Sequence, residues 1–322
     1  MRRWLGLAGL LLSLCLGGVI LWKIDLKSVS GQVVRFGWGA WFLGLCIYLL
    51  AFIPRGWRWK IMLPNSGRLP WTEVTRIVVV GYAANNILPF RLGEVVRSVV
   101  AGVRFKASKM TCLGTIAAEK ILDGCCLLAL LAATLPFISV REDSRGLFRR
   151  LALVFALLFG LSLLGCFALA KGERWLLPRA SRRLPPSLVR LLQSAFAAVA
   201  SFKDRRTVLA TALLTLLVWT LEGLCFSFFL SRMGVGAALP KGFFCLVVVN
   251  MTILVPSAPG YLGVFDAGTV AAVLALGMDP SQGLALAIVT HAAQFLPTTL
   301  LGLAFVAAMG LSWRRFCHLI DE

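Results

Sequence analysis

Long apolar runs alternate with short basic segments along the chain. A helix needs about 20 apolar residues to cross a hydrocarbon core about 30 Å thick. We therefore predict six crossing helices, near residues 4–22, 39–54, 111–138, 151–170, 207–230 and 282–311, the first being an uncleaved span. The fold class that follows is an all-α polytopic membrane protein, with residues 1–322 forming a single integral membrane domain.

Two further apolar regions, residues 74–101 and 242–276, are each interrupted by helix breakers. Proline lacks the N–H that a helix interior needs, and glycine favours non-helical backbone. The pieces on either side of each break are too short to cross, so each region predicts a re-entrant hairpin of two half-helices. The loop-breaking residues are Pro89, Gly93, Pro256, Pro259, Gly260 and Gly263.

The distribution of lysine and arginine predicts the orientation of the chain. The segments on the side of the N-terminus carry 21 of these residues, and the opposite segments carry 9. Because cytoplasmic loops are enriched in positive charge, both termini are predicted in the cytoplasm. The hairpin at 74–101 then enters from the cytoplasmic face and the hairpin at 242–276 from the other. The amphipathic segment 185–203 is predicted to lie on the cytoplasmic membrane surface.

Hairpins that enter from opposite faces are typical of transporters built from inverted repeats, whose sites lie where the half-helices meet. The two breaks share proline, leucine and glycine, in PFRLG at 89–93 and PGYLG at 259–263. Three matched letters also arise without a repeat. The sequence therefore leaves both interpretations open.

Composition narrows the classes of function. The chain is 59% hydrophobic and 15% charged, with a formal net charge of +19. The positive residues lie between apolar runs, as expected beside anionic lipid, so we predict no nucleic-acid partner. The 9 cysteines form no C-x-x-C pair, and no phosphate loop, G-x-S-x-G or H-E-x-x-H motif is present. We therefore predict no metal, no cofactor, no catalytic residue and no enzymatic activity.

Arg91 and Arg97 follow the first break and are well suited to binding an anion. A guanidinium can hold a phosphate through two hydrogen bonds, and the half-helix that begins near Leu92 adds its free N–H groups. The alternative is that both arginines extend to the membrane interface. Glu94 lies three residues from either arginine and can neutralise one of them until substrate arrives.

Further polar residues complete the predicted substrate-binding set: Asn85, Asn86, Glu119, Asp123, Asp266 and His291. Structural roles stay open for each of them. The asparagines can satisfy backbone groups freed at the break, and the aspartate at 266 can cap the following half-helix. The two acidic residues of 111–138 can form a structural ion cluster with Lys120, and the histidine can serve helix packing.

Three stretches carry a resemblance to a known family: NNILPFRLGEVVR, AAEKILDG and VPSAPGYLGVFDAG. They resemble the lysylphosphatidylglycerol synthase transmembrane-region family of flippase-like proteins, over roughly residues 4–312. The resemblance implies a bacterial or archaeal inner-membrane protein concerned with moving a modified lipid across the bilayer. The family motif has glutamate near the position of Asp266. The soluble domain that makes the lipid in two-domain relatives does not follow here, so the resemblance implies a stand-alone translocase.

The leading hypothesis is a flippase-like transporter that moves an anionic phospholipid or a polyprenyl-phosphate-type lipid across the inner membrane. One alternative is a membrane-embedded transferase that modifies such a lipid. Another is a non-transporting partner of a lipid-modifying complex. The expected partners are a membrane lipid with an anionic headgroup and a separate lipid-modifying enzyme, and the oligomeric state is left open.

Overall fold

The computed structural model describes residues 18, 26–64, 69–88, 92–255 and 257–310, which are mostly helical and contain no strand. The α-helices are α1 Leu26–Leu50, α2 Phe52–Met62, α3 Trp71–Ile87, α4 Gly93–Phe105, α5 Lys109–Thr134, α6 Glu142–Arg183, α7 Pro186–Ala198, α8 Arg205–Arg232, α9 Ala238–Thr252, α10 Val264–Ala275 and α11 Pro280–Ala308. Short 3-10 turns lie at Leu135–Phe137, Ala200–Lys203 and Pro259–Tyr261.

Four segments within the described part of the chain are long and apolar enough to cross a membrane. They are Lys27–Met62, Glu142–Ala180, Arg205–Arg232 and Pro280–Ala308. Each contains or closely overlaps one of the predicted crossing helices. The prediction of an all-α polytopic membrane protein is confirmed. The predicted span at 4–22 lies outside the described residues.

The predicted span at 111–138 corresponds to α5, which has the length to cross but carries charged residues in its middle. Glu119 and Asp123 are buried there, so the free-energy cost of burying their charges is offset by partners inside the bundle. By contrast, α6 is apolar and only 6% of its most apolar window is buried, which places it on the outside of the bundle. An apolar face this large suits contact with lipid.

The predicted end of the second span at Pro54 is wrong. Pro54 lies in the first turn of α2, which continues to Met62. Backbone N–H groups in the first turn have no intrahelical partner, so proline costs little there. Arg55 and Arg58, counted above among cytoplasmic loop charges, therefore belong to a helix and are at most 1% exposed. The charge asymmetry keeps its direction without them.

Helices α3 and α4 fold back on each other and are called hairpin 1. At its outer end, Glu73 in the first turn of α3 lies 3.4 Å from Arg104 in the last turn of α4. At the tip, the N–H of Gly93 donates to Asn85 Oδ1 at 2.7 Å. A Cβ at position 93 would lie 2.0 Å from the carbonyl oxygen of Gly81, so this close approach requires glycine.

Helices α9 and α10 form hairpin 2, with the turn Pro259–Tyr261 at its tip. Gly260 and Gly263 have φ angles of +68° and +79°, a backbone region that glycine enters without steric cost. The predicted breaks at these glycines and at Pro259 therefore fall at the tip. Pro89 and Pro256, the other predicted breakers, lie outside the described residues.

The outer ends of the two hairpins lie at opposite ends of α5. The N-terminus of α5 follows α4 after residues 106–108, whereas the chain beyond its C-terminus reaches the other hairpin. There, the N–H of Arg141 donates to the carbonyl of Ala275, the last residue of α10, at 2.9 Å. Phe148 also packs on Phe244 of α9, with ring centroids 5.4 Å apart. The hairpins therefore open at opposite ends of the bundle, while their entry from opposite membrane faces stays a prediction.

The amphipathic segment predicted at 185–203 forms α7 and the 3-10 turn that follows it. Its apolar side chains Phe196, Ala198 and Phe202 are buried. They pack toward α5 and α6, where Ala118 and Ala170 belong to the same apolar cluster as Phe202. Its placement on a cytoplasmic membrane surface stays a prediction.

Cysteine labelling tests the arrangement of the hairpins. In a background without native cysteines, Arg76→Cys and Lys106→Cys should react with an impermeant maleimide from one side of the membrane. Gly236→Cys and Met278→Cys should react from the other side, because hairpin 2 opens at the opposite end of α5. If the two ends of one hairpin label from different sides, that segment crosses the bilayer and the opposed arrangement is wrong.

Candidate functional site

Two sets of residues with polar contacts lie within the apolar bundle. The first, called the charge network, consists of Arg55, Arg58, Arg97, Glu119, Asp123 and Glu222. The second, called the hairpin junction, consists of Asn86, Gly260, Asp266, His291, Phe295 and Thr299. The charge network joins α2, α4, α5 and α8, and the hairpin junction joins the tips of both hairpins to α11.

Glu119 is the centre of the charge network and has no exposed surface, at 0%. Arg97 donates two hydrogen bonds to its carboxylate, with Nη–O distances of 2.7 and 3.2 Å. Arg58 adds a third hydrogen bond to the same carboxylate at 2.7 Å. Bidentate guanidinium–carboxylate contact is the strongest geometry available to this pair of groups. One residue of α5 therefore fixes α2 and α4 together.

Asp123 lies one turn beyond Glu119 on the same face of α5. It accepts a hydrogen bond from Arg58 at 2.5 Å and one from the indole N–H of Trp219 at 2.9 Å. Arg58 also donates to the hydroxyl of Thr215 at 2.9 Å. These contacts bring α8 into the network, because Thr215 and Trp219 follow each other at helical spacing on one face of that helix.

Arg55 forms the outer arm of the network through an ion pair with Glu222 of α8. Its guanidinium also lies 4.9 Å from the ring centre of Tyr82. Arg97 is similarly placed, 3.9 Å from the ring centre of Trp59. Aromatic faces attract cations, most strongly where water is excluded. The two arginines are therefore held on one side by carboxylates and on the other by rings.

The charges of the network balance, with three guanidinium groups facing three carboxylates. An unpaired charge in an apolar interior costs several kcal/mol, whereas a paired and hydrogen-bonded set is tolerated. The balanced set can therefore remain buried. It also means that no member can be removed without leaving an opposite charge uncompensated.

Sequence reasoning identified part of this network. Arg97, Glu119 and Asp123 were predicted as substrate-binding residues, and the structure brings them together. Arg55, Arg58 and Glu222 were missed. A signal for the first two exists, because arginines at i and i+3 match acidic residues at i and i+4 on another helix. The error at Pro54 concealed it, since it assigned both arginines to a loop.

The hairpin junction lies where the tips of the two hairpins meet. Asn86, at the end of α3, donates to the carbonyl of Phe295 at 3.3 Å and to the hydroxyl of Thr299 at 2.9 Å. Its own carbonyl oxygen faces Gly260, where a Cβ would lie 3.4 Å from it. The tip of hairpin 1 therefore contacts both α11 and the tip of hairpin 2.

His291 connects the junction to hairpin 2. Its Nε2 lies 2.8 Å from the carbonyl oxygen of Gly260, and its Nδ1 lies 3.4 Å from a carboxylate oxygen of Asp266. Both neighbours are acceptors, so only the doubly protonated ring donates to both. Phe265 stacks on the imidazole, with ring centroids 4.4 Å apart. The structure thus brings together the two polar residues predicted separately after the second break.

Asp266 also caps α10, in agreement with the structural role left open for it. Its second carboxylate oxygen accepts the N–H of Gly263 at 3.0 Å. An acidic side chain in the first turn also suits the positive end of the helix dipole. The carboxylate therefore serves the helix end and the histidine at once.

Asn85 and Glu94 form a small group at the tip of hairpin 1. The asparagine amide donates to Glu94 Oε1 at 3.4 Å, and Lys120 Nζ lies 3.9 Å from the same oxygen. Sequence reasoning paired Glu94 with an arginine and Lys120 with Asp123. The described residues instead pair Glu94 with Lys120, because Arg97 points to α5. Arg91 lies outside the described residues.

Two broken hairpins that open at opposite ends and meet at polar tips define the class of this protein: a multi-pass, all-α membrane protein with an internal polar junction. The chain belongs to the lysylphosphatidylglycerol synthase TM region family, whose model matches residues 6–302. Comparison with curated proteins and with solved structures gave no match. The resemblance stated from the motifs is confirmed, and membership supports a membrane protein related to lipid handling.

The central role of Glu119 gives a stability prediction. Glu119→Gln should lower the free energy of unfolding by about 3–5 kcal/mol, because two buried guanidinium groups lose a shared counter-charge. The measurement is thermal or denaturant unfolding in detergent. Glu142→Gln, at an exposed position in the first turn of α6, should cost at most about 1 kcal/mol. Equal stability of the two variants would contradict the arrangement of the network.

Proposed function

We propose that this protein is a flippase-like transporter that moves a lipid with an anionic headgroup across the inner membrane, with both termini in the cytoplasm. The lipid is a phospholipid or a polyprenyl-phosphate-type lipid. The observation that carries the proposal is the hairpin junction, where two hairpins opening at opposite ends of the bundle meet. Transporters with broken helices bind substrate at such a meeting point.

The charge network supports this proposal because it fixes hairpin 1, which would form one side of the proposed lipid pathway. Arg97 anchors α4 to α5, and Arg58 anchors α2 to the same carboxylate. Hairpin 1 is therefore attached to a rigid set of helices through charged contacts. Hairpin 2 is linked to it through α11, where Phe295 accepts a hydrogen bond from Asn86 of hairpin 1 and His291 contacts Asp266 of hairpin 2. On this proposal the junction opens and closes while the charge network stays intact.

Access from each end is the second requirement of the proposed function. The outer end of each hairpin lies at one end of the bundle, and its tip lies at the junction. A headgroup that enters from either end of the bundle could therefore reach the tips after crossing only part of the bundle. Asn85, Asn86 and Glu94 at one tip, Asp266 at the other and His291 of α11 beside it would offer polar contacts to that headgroup in place of water.

Arg91 tests the anion-binding part of the proposal, and its role rests on the sequence. Losing a desolvated guanidinium–phosphate contact costs about 2–5 kcal/mol, which is at least about tenfold in affinity. Arg91→Ala should therefore lower the transport of fluorescent anionic lipid in proteoliposomes by at least about tenfold. Arg91→Lys should recover part of it, because lysine keeps the charge and loses the two-pronged geometry.

The control for this experiment is Arg150→Ala, at an exposed position of α6. It should transport as the unmodified protein does, and all variants should show the same elution profile and melting temperature in detergent. Normal transport by Arg91→Ala would assign that arginine to the membrane interface. The search would then move to Asp266 and His291.

The absence of enzymatic activity is a further part of the proposal and has its own test. Purified protein incubated with anionic lipids and either aminoacyl-tRNA or nucleotide sugars should give no new lipid by mass spectrometry. The expectation rests on the missing nucleophile and nucleotide motifs in the sequence. A lipid product that requires this protein would favour the transferase alternative. Neither product formation nor transport would favour the non-transporting partner.

A further inference from the structure

A basic cup lies at the end of the bundle where hairpin 2 opens. It has a volume of about 800 Å³ and is formed by α1, the end of α8 and the start of α11. Lys27, Arg35 and Arg232 line it together with the amides of Gln32 and Gln282. No acidic side chain is among the described residues that line it. The cup therefore has the charge and the hydrogen-bond donors to receive an anionic group.

An apolar groove lies next to this cup, between α1 and α11. It has a volume of about 520 Å³, and Phe36 borders both the cup and the groove. Trp38 and Trp41 form one wall, and Ile288 and Leu296 lie on the other. The two α11 residues span eight positions, or about 12 Å of helix. The polar cavity and the apolar groove therefore adjoin at Phe36.

A break in α1 lies where the cup meets the groove. Gly37 has φ +67° and ψ 154°, which is outside the helical region and divides the helix. Arg35 before this glycine lines the cup, and Trp38 after it lines the groove. A side chain at position 37 would strain this backbone. The glycine therefore allows one helix to supply both a cationic and an aromatic surface.

The groove also passes beside the hairpin junction. Ile288 and Leu296 face the groove from α11, whereas His291 and Phe295 of the same helix contact the two hairpin tips. His291 follows Ile288 by three positions and Phe295 follows it by seven, so the two pairs lie on adjoining stripes of one helix. A molecule lying in the groove would therefore lie along a stripe of α11 next to the one that contacts the hairpin tips.

We propose that the cup and groove together form a binding site for one anionic lipid molecule. The phosphate lies in the cup against Arg35 and Arg232, and one acyl chain lies in the groove between Trp41 and Ile288. A free phosphate would use only the cup, and an uncharged lipid only the groove. A cationic cup that adjoins an apolar groove matches a molecule that has both a phosphate and an acyl chain. This site would bind lipid whether or not the protein transports it, so it can fail independently of the proposed function.

Tryptophan fluorescence can report occupancy, because bromine on an acyl chain quenches an indole in contact with it. The protein is reconstituted in unlabelled phosphatidylcholine vesicles containing a few per cent of either dibromo-phosphatidylglycerol or dibromo-phosphatidylcholine. The anionic brominated lipid should quench more strongly at equal mole fraction. Trp38→Phe with Trp41→Phe should remove that excess, which places the bound chain in the groove.

The matched variants separate this site from a general attraction of anionic lipid to a basic protein. Arg35→Gln with Arg232→Gln should lower the preference for the anionic lipid by about tenfold. Arg150→Gln, which also removes a positive charge, should leave it unchanged. Equal quenching by the two lipids, or equal loss in all these variants, would overturn the proposal.

A third arm distinguishes a lipid from a free phosphate. Soluble glycerol phosphate, added in millimolar excess, should not displace the brominated lipid, because it lacks the chain that fills the groove. Ile288→Trp, which narrows the groove and leaves the cup unchanged, should reduce the anionic preference. Displacement by glycerol phosphate together with normal binding by Ile288→Trp would mean that the cup binds a phosphate group alone.

Discussion

The pairing of Glu119 with Arg58 and Arg97 is the interaction on which the rest of the structure depends. A carboxylate with no exposed surface persists in an apolar bundle only if its charge is matched and its oxygens are hydrogen-bonded. Both conditions are met by guanidinium groups from two other helices. The requirement therefore sets the positions of α2 and α4 relative to α5, and Asp123 extends it to α8 through Trp219.

The two hairpins are therefore attached to the bundle by different kinds of contact. Hairpin 1 is fixed to α5 by a charged contact near its tip, and its outer ends are joined by Glu73 and Arg104. Hairpin 2 is attached to α11 at its tip through Asp266, which is partly exposed, and through Gly260, both of which contact the buried His291. Hydrogen bonds of this kind exchange partners at lower cost than a buried ion network. In the proposed transport cycle, hairpin 2 and its contacts would therefore move more readily than hairpin 1.

The cup and groove extend this picture toward the surrounding lipid. They lie on α11, the helix that also holds the junction, and at the end where the more weakly attached hairpin opens. The segments predicted on that side of the membrane carry fewer lysine and arginine residues than the opposite segments, yet Arg35 and Arg232 line the same cavity. A lipid held there would lie along a stripe of α11 that adjoins the one contacting the polar tips. The proposed lipid site would therefore lie next to the proposed path of the headgroup.

The sequence alone determined the class of the protein, the two breaks and most of the polar residues that matter, because apolar length and helix-breaking residues act locally. It also predicted Arg97, Glu119, Asp123, Asp266 and His291 as residues of interest. It did not determine their partners. Arg55 and Arg58 looked like loop charges, and Glu94 looked like the partner of an arginine, because spacing along one helix says nothing about which other helix faces it. Burial of charge demands a counter-charge, and only the tertiary packing decided which residue supplies it.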